Sequence, residues 1–226
     1  MLLLITDTSG RNGSVALVRA KDGPDEIQLM EAVPLVGGTF SAQLVPQISG
    51  LFEKHGLKKT DIGAFIVVSG PGSFTGLRIG LAAIKALAEI LHKPIVPVSL
   101  LEVVALAAGK HEGHVLAALD AGRGEVYAGE YRMQGESAEL IREQLIPKQE
   151  LTAIAQDLHI STPDAAIAEF TRSLSLRVCA LPAITAQMIA SLGWSKLRAG
   201  QTVPPDQLEA NYIRRSDAEI FGKTGS

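Results

Sequence analysis

Two aspartates and one glycine-rich turn are the residues of this chain that could do chemistry. Asp7 ends the apolar run "LLLITD" and Asp120 ends "HVLAALD". Carboxylates at two strand ends can hold a metal ion and orient an attacking group in phosphoryl transfer. The turn "SGPGSFTGLRIG", residues 69–80, places Gly70, Gly72 and Ser73 between an apolar run and a helix-patterned segment. Helix N-termini leave N–H groups unpaired and attract anions, and glycine lets the backbone approach a phosphate.

The common phosphate templates do not fit. A P-loop needs G-x-x-x-x-G-K-[ST]. Here five residues separate Gly70 from Gly76, and Leu77 stands where the lysine belongs. The dinucleotide fingerprint G-x-G-x-x-G matches at Gly70 and Gly72 but meets Thr75 at its third glycine. A helix terminus contributes roughly 0.3–1 kcal/mol to a nearby charge, whereas micromolar binding needs about 8 kcal/mol. The cations on offer are Arg78 and, two turns into the helix, Lys85. The competing reading is a tight strand-to-helix turn with Ser73 or Thr75 as N-cap.

Other chemistries find less support. "KHEGH" (110–114) spaces His111 and His114 at i and i+3 after Gly109, which reads as a solvated loop. His55, His92 and His159 are scattered. No G-x-S-x-G occurs, and "PGSFTG" has Phe and Thr after its serine, so a serine-hydrolase reading has no motif. Cys179, the one cysteine, sits in the strand-like "RVCALP" and allows neither a disulfide framework nor a thiolate cluster within the chain. That fits a reducing cytoplasm. Net charge is −3 and aromatics make up 4%, so neither a basic footprint nor stacking platforms for nucleic acid stand out. "MLLLI" is too short to span a bilayer.

These groups must be positioned by an α/β chain. With 226 residues, 46% of them hydrophobic, it suits one large domain or two lobes. Strands are expected at Leu2–Asp7, Gly13–Val18 and Glu26–Pro34, then a helix N-capped by Ser41 and closed near Gly56. "AFIVVSG" (64–70) reads as a buried parallel strand. A helix over 76–91, a strand over 94–99 and a helix over 100–109 follow. The pattern then restarts. Residues 114–121 resemble the opening strand, and 125–133 its hairpin partner across "AGRG". Beyond residue 135, "PKQELTAIAQDL" reads as a helix, "LRVCALP" as a strand, "AITAQMIASLGWSKLRAG" as a helix and "TVPPDQLEANYIRR" as an extended return. The expected lobes are 1–105, with 206–226 packed back on it, and 106–205.

The 76–91 helix carries small residues on one face. Gly76, Gly80 and Ala83 lie at i, i+4 and i+7. Glycine costs about 1 kcal/mol against alanine inside a helix, so Gly80 points to a close backbone approach. The approach is either by the chain's own sheet or by a partner chain.

"LLLITDTSGRNGSVAL", "VSGPGSFTGLRIGLAAIKALA", "PVSLLEVVALA" and "LAALDAGRGEVYAGEY", all within residues 2–133, resemble the bacterial TsaB (YeaZ) family in order and spacing, and "NYIRR" (211–215) resembles its C-terminal segment. The resemblance implies an actin-like/Hsp70-type ATPase fold of two RNase H-like lobes with mixed central sheets. It implies a role in forming threonylcarbamoyladenosine at position 37 of tRNAs that read codons beginning with A. There TsaB is the non-catalytic paralogue that pairs with the transferase TsaD, the ATPase TsaE joins through the complex, and tRNA is met only indirectly. The partner contact, with TsaD or in a homodimer, is expected on helices 40–55 and 76–91, through Leu44, Ile48, Gly76, Gly80, Ala83 and Leu87. Asp7, Thr8, Ser9, Gly70, Gly72, Ser73 and Asp120 would then be a vestigial phosphate region, with ATP or ADP at the TsaD junction left open.

No catalytic residue or metal site is expected. TsaD's H-x-E-[GA]-H motif aligns with "SLLEV" (99–103), putting Ser99 and Val103 at the histidine positions. Three departures stand out: Phe40 replaces an expected histidine, Gly122 an expected arginine, and "HISTPDAAIAEF" has no glycine turn. The alternative is an actin-like nucleotide-dependent phosphotransferase or ATPase using Asp7 and Asp120.

Overall fold

A computed structural model describes residues 1–21, 27–36, 39–109, 112–155 and 158–214. The described backbone divides into two units, Met1–Leu100 with Thr185–Asn211, and Leu101–Ile184 with residues 212–214.

The first unit is built on a five-stranded sheet. Strand β1 (Leu2–Asp7) pairs antiparallel with β2 (Gly13–Ala20), and β2 antiparallel with β3 (Ile27–Leu35). Strand β4 (Ile62–Gly70) lies parallel to β1 on its other side, and β5 (Ile95–Ser99) parallel to β4. The order is β3-β2-β1-β4-β5. Leu3, Leu4 and Ile5 are all buried because β1 is covered on both faces, which is why it reads as a continuous apolar run rather than an alternating one. Helices α1 (Phe40–Lys54) and α2 (Phe74–Leu91) cover one face, burying Leu44, Ile48, Leu77 and Ile84 against Leu4, Leu17 and Val67.

Ser41 does not cap α1. The helix starts at Phe40, and no side chain caps it at Thr39. Gln43 ties the helix start to the preceding chain instead, accepting from Val36 N–H at 3.1 Å and donating to Val36 O at 2.8 Å. At the other end Gly56 takes the left-handed conformation expected of it, with φ +61°.

The second unit repeats the plan. Strands β6 (Gly113–Gly122), β7 (Glu125–Gln134) and β8 (Ser137–Pro147) form the antiparallel meander. β9 (His159–Thr162) runs parallel to β6, and β10 (Val178–Ala180) parallel to β9. The order β10-β9-β6-β7-β8 is the first sheet's order read in reverse. The expected internal repeat is therefore a repeat of the whole strand topology, and both sheets are mixed, as an RNase H-like plan requires. Glu26 and Arg215, the ends of two sequence expectations, lie outside the described residues.

The lobe boundary differs from the sequence expectation because the two units exchange a helix. Helix α3 (Leu100–Ala107) follows β5 in the chain, yet Leu101, Val104 and Ala105 pack with Val115, Tyr127 and Tyr131 of the second unit. Helix α6 (Ala186–Arg198) follows β10, yet it packs across the first unit's sheet, with Gly193 set against Ile66. Residues 185–205 thus belong to the first unit. The helix expected over 147–158 is a 3-10 turn plus the single-turn α4 (Leu151–Ile154). With α5 (Ala165–Ser173), α4 covers the remaining face of the second sheet.

Candidate functional site: a glycine turn closed by its own chain

Strand β4 ends at Gly70, with φ +146°, and α2 begins at Phe74. Ser73 is the N-cap, its Oγ accepting from Gly76 N–H at 3.3 Å. The cradle between strand and helix is filled. Ser73 N–H donates to Ser9 O at 2.6 Å. A Cβ on Gly72 would come within 3.0 Å of Ser9 O and Ser9 Cβ, and one on Gly70 would stand 2.5 Å from Asn211 O. Asn211 also donates its N–H to Ser69 O at 2.8 Å, so the C-terminal segment closes the turn from the opposite side. Gly70 and Gly72 are needed here because protein backbone, rather than phosphate, occupies the space beside them.

The same holds for the helix face. A Cβ on Gly76 would run into Thr8 O, and one on Gly80 into Thr8 Oγ1, both closer than 3.0 Å. Thr8 is 1% exposed. Gly76 and Gly80 therefore pack against the β1–β2 corner of their own unit, not outward. Leu44 and Ile48 are likewise buried in the first unit's core. Of the six residues expected at a partner face, these four are corrected to interior positions, and Ala83 and Leu87 are half-buried on α2.

Phe40 acquires a physical account. It is 2% exposed, and its ring lies 3.0 Å from a Cβ position at Gly13 and 3.2 Å from one at Gly76. It is a core aromatic filling the space that two glycines leave. Gly122 is explained too. Its φ is +71°, and Arg123 and Gly124 also have positive φ, so the β6–β7 hairpin turns tightly where glycine is favoured.

The two aspartates belong to different units and differ in setting. Asp7 Oδ1 accepts from Ser9 N–H at 2.9 Å and from Ser9 Oγ at 2.6 Å. It keeps some solvent access, but the protein crowded around its carboxyl raises its pKa above the usual carboxylate value, against the two Ser9 hydrogen bonds. Asp120 is exposed, and its Oδ1 accepts from Gly122 N–H at 3.1 Å. Sequence reading missed its neighbour. Asp164, at the β9–α5 turn, accepts from Asp120 N–H at 2.8 Å. Desolvation raises its pKa; the bond from Asp120 N–H offsets part of this, and the Asp120 charge adds a smaller rise. The "STPD" that replaces a second glycine turn thus uses a carboxylate to join the two strand ends.

The remaining candidates carry structural tasks. Val103 is buried on α3. His55 Nε2 lies 2.9 Å from Glu31, which also takes Lys54 at 2.7 Å; the two hydrogen bonds lower the Glu31 pKa. His92 is the left-handed C-cap of α2. His114 pairs with Glu130 at 3.1 Å, and His111 lies outside the described residues. Cys179 is half-buried on β10. Among the described residues no three His, Cys, Asp or Glu side chains converge on a common point, and no helix is long and apolar enough to cross a membrane.

The exposed residues of α1 and α2 include a set of small and aliphatic side chains. Val45, Pro46 and Gly50 are exposed on α1, and Ala82, Ala86 and Ile90 on α2, with Val45 at 56% and Ile90 at 73%. Small and aliphatic residues at helical spacing on two adjacent helices suit close helix packing by another chain.

Comparison with known proteins identifies the family and the fold. The family model TsaD: tRNA N6-adenosine threonylcarbamoyltransferase matches residues 35–220. The tRNA threonylcarbamoyladenosine biosynthesis protein TsaB of Bacillus subtilis is 33% identical over 66% of this chain, and that of Haemophilus influenzae 29% identical over 95% of it. The matches span 61% of the Bacillus protein and 94% of the Haemophilus one. The solved structure of YeaZ from Pseudomonas aeruginosa superposes with a TM-score of 0.71 at 27% identity, covering 93% of this chain and all of that one (100%).

Proposed function

Because the chain belongs to the TsaD-type threonylcarbamoyltransferase family, as a TsaB (YeaZ) member, we propose that it serves tRNA threonylcarbamoyladenosine biosynthesis as the non-catalytic partner of a TsaD-type transferase. The observation that carries this reading is the solvent-facing strip of Val45, Pro46, Gly50, Ala82, Ala86 and Ile90. It offers a partner small and aliphatic side chains on two helices. The glycine turn, by contrast, already holds its own backbone. A stable pairing of this kind buries about 1,600 Å² in total, which two helices of this length can supply together with their flanks. TsaE would join through the complex, and tRNA would be met through the transferase.

The test mixes the purified chain with the TsaD-type transferase of its own organism and reads complex formation and transferase-dependent modification of tRNA. Ala86→Glu and Val45→Glu, each putting a charge on the strip, should weaken pairing by at least about ten-fold with the fold intact, since a buried unpaired charge costs several kcal/mol. Pairing unchanged by both substitutions overturns the assigned face. ATP turnover by the chain alone, lost in Asp7→Ala and indifferent to the transferase, overturns the non-catalytic reading and favours a phosphotransferase. A strip that pairs only with a second copy of the chain places a homodimer there instead.

A further inference from the structure

Asp7 ends β1 and is one of the two carboxylates that sequence reading offered for catalysis, yet its surroundings suit another task. Its Oδ1 holds both the N–H and the Oγ of Ser9, which fixes the corner after β1. That corner is what α2 rests on. Ser9 O accepts the Ser73 N–H at 2.6 Å. Ser9 O and Cβ occupy the space beside Gly72, Thr8 O the space beside Gly76, and Thr8 Oγ1 the space beside Gly80. Four residues along the turn and the first two turns of α2, Gly72, Ser73, Gly76 and Gly80, thus abut Thr8 and Ser9, and those two residues are held in shape by one carboxylate.

The second unit supplies a comparison within the same chain. Asp120, at the equivalent strand end, makes the same i to i+2 bond, to Gly122 N–H. It is exposed, and no glycine stands in "STPDAAIA", the start of the equivalent helix. The fastening is therefore shared by both units, whereas burial of the corner under a glycine-faced helix belongs to the first. That helix carries Ala82, Ala86 and Ile90 of the outward strip.

We propose that Asp7 is a positioning residue: by fastening the Thr8–Ser9 corner it fixes the glycine turn and the N-terminal half of α2, and so sets the pose in which α2 meets a partner. The last clause rests on the proposed pairing with a TsaD-type transferase, and the first does not. The role needs an acceptor oxygen at Oδ1 and no negative charge. Metal coordination or activation of a nucleophile would need the charge.

The full-length chain is compared with Asp7→Ala, Asp7→Asn and Ser9→Ala by amide hydrogen exchange, and then by affinity for the transferase. Asp7→Ala should speed exchange over residues 8–12 and 73–80 by about ten-fold or more, as expected of a local opening, while residues 115–134 of the second unit stay unchanged. It should weaken pairing to a similar degree. Asp7→Asn, which keeps an acceptor, should restore both. Ser9→Ala loses one of two donors and should show a smaller acceleration over the same residues, which keeps the test decisive if Asp7→Ala does not fold. Unchanged exchange over 73–80 in Asp7→Ala or Ser9→Ala overturns the proposal, as does an Asp7→Asn chain that behaves like Asp7→Ala. Because exchange is read on the chain alone, its failure sinks the positioning role. Absence of pairing by the unmodified chain sinks the partner reading.

Discussion

The N–H of Ser73 donates to the carbonyl of Ser9 at 2.6 Å, so an amide at the mouth of α2 already has its acceptor inside the same unit. An incoming phosphate would have to displace the β1–β2 corner, and the turn alone offers it roughly 0.3–1 kcal/mol in return. The chain by itself is expected to show no thermal shift with ATP and magnesium. A ligand at a hundred times its Kd stabilises by about 2.7 kcal/mol, which in a chain of this size is a rise of several degrees. A rise of that size, abolished by Gly72→Ala, would restore the phosphate reading.

Two helical glycines should answer alanine in opposite ways. Gly50 on α1 has nothing within 4 Å of a Cβ, so Gly50→Ala gains helix propensity and stabilises by about 1 kcal/mol. Gly80→Ala gains the same propensity but collides with Thr8 Oγ1, and overpacking of this kind costs about 1–3 kcal/mol. Urea denaturation should find Gly80→Ala less stable than the unmodified chain. Adding Thr8→Ala should recover part of the loss beyond additivity, because the two positions touch. Additive effects in that double mutant would mean that α2 moves aside freely.

The strand-to-helix turn, the repeat and the outline of both meanders were legible because each is local: apolar runs, glycines at positive φ, a serine cap. The direction of a small-residue face was not. Gly76 and Gly80 look alike whether a partner or the chain's own Thr8 fills the groove, and Thr8 is far away in sequence. The exchange of α3 and α6 between units was hidden for the same reason. Both helices are apolar enough to cover either sheet, and only the tertiary arrangement of Leu101 on Tyr131 and Gly193 on Ile66 decides. Strand β8 escaped notice because its outer residues face solvent, with Leu140 and Ile141 exposed beside Glu139 and Arg142, so no clean alternation marks it.

Phe40 fills the space between Gly13 and Gly76. Phe40→Ala should therefore cost about 3–5 kcal/mol, the range for an aromatic removed from a packed core. Phe40→His should also destabilise at neutral pH, because an imidazole placed there brings two ring nitrogens into an apolar cluster. Thermal denaturation ranks the three chains. A Phe40→His chain as stable as the unmodified one would show that the position has a polar partner within reach.

Asp7 also predicts a pH dependence with a definite sign. Crowding by protein raises its folded-state pKa above the ordinary value of 3.8, and the Ser9 bonds offset this only in part. Between the unfolded and the folded value the folded chain binds more protons, so this group's contribution to stability falls as pH rises through that window. Above the folded value the cost of keeping a carboxylate there is constant. Asp7→Asn removes that cost and keeps an oxygen to accept from Ser9 N–H and Oγ. The variant should be as stable as the unmodified chain or more so at pH 7. Its advantage should shrink as pH falls through that same window and level off once the carboxyl is protonated in both states. Urea denaturation of both chains from pH 3.5 to 7.5 checks this. An Asp7→Asn chain that is less stable at pH 7 and regains parity in acid would show that the carboxylate's charge is paired with a cation, and that burial is not the dominant influence on this residue.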